Sequence, residues 1–172
     1  MSMNILSVYR VLTIILLPFA TLFGFESVLS VFAGIGNPTV LLSAVILACV
    51  VIYIFAAAFF LYKGILKNAL CKASLKDWIK INSVIALIFS ILAIISCISI
   101  LYFFTNKEIY AKFLTVLNES RPTNIPNNIS STELMTAMRN AILIMLPFSI
   151  VLLVHILMTY RLMKKYAALF AK

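Results

Sequence analysis

Charge is so sparse in this chain that its absence defines the pieces. Three stretches carry no charged residue at all: 40–62 with 23 residues, 81–104 with 24 and 140–160 with 21. A charged side chain at the centre of a bilayer costs about 2.5 to 3.5 kcal/mol on insertion scales, so charges mark where spans end. A helix needs about 20 residues to cross the hydrocarbon layer, and each stretch supplies them. A further run, 11–25, is uncharged for 15 residues and reaches span length only by continuing past Glu26 to residue 32. Composition agrees: 64% of the 172 residues are hydrophobic and 11% charged, where soluble domains are about half apolar. The fold class predicted is an all-α membrane protein, a four-transmembrane-helix bundle forming a single integral membrane domain over residues 1–172. Its spans are expected at about 11–32, 40–62, 81–104 and 140–160.

Gly34, Gly36 and Pro38 follow the first run and predict a short turn. Arg10, the apolar run after it and the small residues before Gly34 also have the outline of a signal peptide. Glu26 interrupts that outline, and a retained span is the expectation.

Lys and Arg beside the spans set the orientation. Lys63, Lys67, Lys72, Lys76 and Lys80 lie in the loop 63–80; Arg10 precedes the first span; Arg161, Lys164, Lys165 and Lys172 follow the last. These are ten of the 14 basic residues. The loop 105–139 holds Lys107, Lys112, Arg121 and Arg139 against Glu108, Glu119 and Glu133. Both termini and the loop 63–80 are therefore expected to be cytoplasmic, with 105–139 outside. A bacterial inner membrane fits this bias and the lack of cysteine in the outer loop. The five lysines of the inner loop are expected to contact anionic lipid, so the overall charge of +9 is not a nucleic-acid footprint.

Contact faces in lipid favour small residues. Ser83, Ala86, Ser90, Ala93 and Cys97 recur at intervals of three and four and predict a helix-packing seam. Ala44 with Ala48, and Ala20 with Gly24, are similar pairs. The hydroxyls of Ser83, Ser90 and Ser99 are expected to bond to carbonyls one turn back; the alternative is a polar lining. Pro18 and Pro147 fall inside spans and are expected to kink them.

In the loop 105–139, Ile109, Phe113 and Leu117 recur every four residues and predict that the third helix continues outward as an amphipathic extension. The tip 121–128 breaks it. Ser130 and Glu133 form a capping-box pattern that restarts a helix into the fourth span. An extracytoplasmic helical hairpin results, with Leu134, Met135 and Met138 expected to cover the apolar face. Asn118 and Asn128 begin Asn-x-Ser patterns. Ser74 and Asp77 are expected to cap the third helix.

The inventory excludes more chemistry than it suggests. One histidine and three scattered cysteines offer no metal site, haem pair or thiol motif, and no nucleotide or hydrolase motif is present. No cofactor, metal or catalytic residue is expected. Ionisable residues within spans are the default candidates for function, and there are two, Glu26 and His155, as proton or ion sites. Helical rise separates them by about 10 to 20 Å in depth, so direct pairing is not expected. The function expected is a non-enzymatic accessory or scaffold component of a membrane complex, contacting lipids and either a protein partner or its own copies. The alternative is a small oligomeric transporter or channel titrating at Glu26.

Overall fold

A computed structural model describes residues 5–119 and 131–170. The tip 121–128, Ser130, Lys172 and the side chains of Leu117, Asn118 and Leu134 lie outside the described residues. Among the described residues five α-helices are formed: α1 (Ile5–Ala33), α2 (Pro38–Phe59), α3 (Ala73–Thr105), α4 (Lys107–Glu119) and α5 (Ser131–Lys165). Four of them are long and apolar enough to cross a membrane: α1, α2 with its continuation to Ile65, α3, and α5 from Met135. No strand occurs among the described residues beyond an isolated bridge between Cys71 and Phe170. The protein is all-helical and multi-pass, and its residues cluster into two compact units, 1–91 with 151–172, and 92–150.

In the first unit α1 and α2 are joined by a four-residue turn. Gly34 donates to the Ser30 carbonyl and Asn37 to that of Gly34, each at 2.8 Å. Gly36 adopts φ +90°, a conformation closed to most side chains. Asn37 then caps α2, its side chain accepting from the amides of Thr39 at 3.1 Å and Val40 at 3.4 Å, and Pro38 takes the first helical position. The helices run close together: a Cβ on Gly34 would meet Val40 at 3.0 Å, and one on Gly24 would meet Val51 at 3.5 Å. The Ser27 hydroxyl crosses the gap to the Ala44 carbonyl at 3.0 Å.

α2 does not stop at an α-turn. Its last residues wind into a π-helical segment, Phe60–Ile65, with Leu66 donating to the Leu61 carbonyl five residues back. Asn68 at φ 48° and a bond from the Ala69 amide to the Lys63 carbonyl, six residues back, close the end. Lys63 therefore sits in the π segment and Lys67 in the turn beyond it. The Cys71 amide bonds to the Leu169 carbonyl at 2.7 Å, and Phe60 stacks on Phe170 with centroids 5.0 Å apart. Lys76 Nζ lies 5.8 Å from the centre of the Phe170 ring. The expected cap of the third helix is corrected: α3 starts at Ala73, so Ser74 and Asp77 are already inside it. A helix outside hydrocarbon tolerates polar residues, and the charge-free stretch therefore underestimates its length.

In the second unit the amphipathic extension forms as a separate helix, α4, rather than as a straight continuation of α3. Helical hydrogen bonds pass through Asn106, which donates to Tyr102 and accepts from Tyr110. Its side chain caps α4 at the Ile109 amide, 3.2 Å away. The axis bends there. Phe103 and Phe113 would be about 15 Å apart along a straight helix, yet their ring centroids are 5.3 Å apart. Phe104 and Tyr110 complete the aromatic cluster in the bend. Phe113 meets Phe103 yet is still 38% exposed, and Ile109 and Met138 are 43% and 41% exposed. On α5 of this unit Met135, Ile142 and Phe148 are buried. Helices run through both Pro18 and Pro147.

Candidate functional site

His155 organises a concentrated polar core in the first unit. On α1, Tyr9, Thr13, Leu16 and Ala20 are buried at spacings of four, three and four, a single helical face. Tyr53 is buried on α2, and His155, Ile156 and Thr159 on α5. The polar members of these faces meet. Tyr9, Thr13, Tyr53 and His155 have 0% exposure and Thr159 has 1%.

Both ring nitrogens of His155 are engaged: Nε2 lies 3.0 Å from Thr13 Oγ1, and Nδ1 lies 2.8 Å from the Tyr53 hydroxyl. Thr13 donates its own proton to the Tyr9 carbonyl at 2.8 Å. If Thr13 keeps its proton on the Tyr9 carbonyl, it accepts from Nε2–H and Nδ1 accepts from Tyr53; with the hydrogen on Nδ1, Thr13 turns its proton to Nε2 and Tyr53 donates to Thr159, so the network closes with either tautomer of the neutral ring. Thr159 closes the far side. Its hydroxyl donates to the His155 carbonyl at 2.8 Å or to the Tyr9 hydroxyl at 3.1 Å, and lies 2.9 Å from that of Tyr53. Tyr9 stacks on the imidazole at 4.6 Å and 12°, while Tyr53 meets it edge-on.

The arrangement ties α1, α2 and α5 at one level. No carboxylate belongs to it, and among the described residues no buried side-chain nitrogen or oxygen lacks a partner. A set linked in this way across three helices fixes helix register. Residue order carries a signal for it, since Tyr9 with Thr13 and His155 with Thr159 are polar pairs four apart on otherwise apolar helices. Sequence reasoning marked His155 alone and missed its four partners.

The other candidates lie elsewhere. Ser83 is buried, donates to the Lys80 carbonyl and meets the Tyr160 hydroxyl at 2.6 Å, joining α3 to α5. Ala86 and Ser90 are buried in the first unit, Ser90 donating to the Leu87 carbonyl at 2.9 Å. In the second unit Cys97 is buried, Ala93 half-buried, and Ser99 donates to the Ile95 carbonyl. Lys63, Lys67, Lys72 and Lys80 are exposed and Lys76 half-buried. Glu26 is exposed, 13 residues and about 20 Å along α1 from Thr13, and the structure does not bring it to His155. Among the described residues no three of His, Cys, Asp and Glu come together.

Four apolar, membrane-length helices with an internally satisfied polar core define a multi-pass helical membrane protein. No family model, curated protein or solved structure matches the chain.

Proposed function

We propose that this protein is a non-enzymatic accessory or scaffold component of a membrane assembly, built as a four-helix bundle. The loop 63–80 and both termini are assigned to the cytoplasmic side of a bacterial inner membrane, and 105–139 to an outer helical hairpin. One observation carries the functional reading: His155 and the four polar side chains around it make their hydrogen bonds within the set or to its own backbone carbonyls, at 0 to 1% exposure. A solute path needs polar groups that converge on open space; a packing device needs what His155 has. The lysines of the inner loop support the orientation through the positive-inside bias. Exposed side chains such as Leu22, Phe25, Ile88, Leu92 and Ile98 supply apolar surface for lipid and for neighbouring subunits.

The test is reconstitution into liposomes holding a pH-sensitive dye, paired with crosslinking in native membranes. The reading predicts proton and alkali-cation leakage no faster than from protein-free liposomes, together with stoichiometric crosslinks to another membrane subunit. Flux that Glu26→Gln abolishes would overturn it in favour of transport.

A further inference from the structure

At the other end of the first unit, α1 and α2 flank an open cleft of about 180 Å³. Glu26 and Ser30 from α1 line it, with Thr39 and Ser43 from α2, and Val40 and Leu47 form its apolar side. Glu26 is the only charged residue between Arg10 and Lys63. Among the described residues it has neither a hydrogen bond nor an ion pair. Ser43 gives its proton to the Thr39 carbonyl at 3.0 Å, which leaves its oxygen lone pairs to accept.

Helix geometry fixes the depth of the cleft. Glu26 is 16 residues past Arg10, about 24 Å along α1, and Ala44, level with Ser27 through their hydrogen bond, is 19 residues and about 28 Å from Lys63. A hydrocarbon layer of about 30 Å bounded on one face by those basic residues has its other face about 2 to 6 Å beyond this level. The anion therefore stands just inside that face, within reach of the headgroups, opposite the lysines.

The ligand that complements this site is a cation with hydrogen-bond donors and a carbon tail. A bare metal ion would leave the Val40 and Leu47 side unused. A quaternary ammonium lacks donors and is recognised by aromatic faces, and no aromatic residue lines the cleft. A primary ammonium presents three N–H groups, which one carboxylate and the Ser30, Thr39 and Ser43 hydroxyl oxygens can accept. We infer that the Glu26 cleft binds a primary ammonium group at the membrane surface, presented by an aminophospholipid headgroup or by a soluble alkylamine. The inference stands apart from the scaffold reading and survives or fails without it.

The experiment uses the full chain in nanodiscs of equal phosphatidylethanolamine and phosphatidylcholine, with the lipids retained after ejection into the gas phase counted by native mass spectrometry. Retained phosphatidylethanolamine should exceed phosphatidylcholine by roughly tenfold, the worth of a charge-assisted hydrogen bond, and Glu26→Gln should remove the excess. Ethanolamine added to pure phosphatidylcholine nanodiscs separates the sources: binding only in lipid form assigns the headgroup, and Glu26-dependent binding of both assigns any primary amine. Because Glu26 is exposed, the variant keeps its fold, which an unchanged melting temperature verifies. No preference in the wild type, or the same preference in Glu26→Gln, would mean a carboxylate solvated by water only and would overturn the inference. Thr39→Val, which keeps volume and deletes one acceptor, should reduce the excess severalfold.

Discussion

The two ends of the first unit treat an ionisable side chain in opposite ways. His155 has both ring nitrogens paired, an aromatic ring stacked on its face and no exposure. Glu26 is exposed and unpartnered on the wall of a cleft. Both sit in helices long and apolar enough to cross a membrane, so hydropathy ranks them alike. The difference is the company that neighbouring helices provide. Around His155, three helices contribute hydroxyls at one level; around Glu26, α2 contributes hydroxyls that stay free or turn back on their own helix. A polar group closed on itself acts in packing, and one left open is available to something outside.

This contrast is sharpened most by deleting each partner in turn and following unfolding in mixed micelles. His155→Ala should be the most damaging, by about 3 kcal/mol, because it leaves a cavity and strips Thr13 and Tyr53 of a partner together. Tyr53→Phe keeps the edge-on ring but loses the hydroxyl shared by Nδ1 and Thr159. It should cost about 1.5 kcal/mol, near the upper end for hydrogen bonds inside membranes. Tyr9→Phe retains the stack and gives up only the long bond to Thr159, for about 0.5 kcal/mol. Glu26→Gln should shift stability by less than about 0.5 kcal/mol in either direction. Equal costs for His155→Ala and Glu26→Gln would erase the distinction between the two ends.

Much of the fold was legible because the bilayer's penalty on charge is large and local: three uncharged stretches and one interrupted at Glu26 correspond to α1, α2, α3 and α5. What was illegible follows from the same rule ceasing to apply. Outside hydrocarbon a helix has no need to be apolar, so α3 reaches back to Ala73 and α5 to Ser131 beyond the stretches that announced them. The four-residue rhythm of Ile109 and Phe113 identifies the face of α4 but contains nothing about its axis, which Asn106 turns. The site was half legible. His155 stands out by type, but Thr13, Tyr53 and Thr159 become its partners only once α1, α2 and α5 are adjacent, and the hydrogen bonds concerned span 142 and 102 residues of sequence.

A chain with one histidine permits a direct examination of the closed end. With the imidazole nitrogens of His155 labelled with nitrogen-15 in the protein in bilayers, magnetic resonance should show two distinct nitrogens. One nitrogen should carry the hydrogen, the other should accept one, and the ring proton should resist exchange with deuterated water. A single averaged pair of signals exchanging freely with solvent would contradict the closed network on which the packing role of His155 rests.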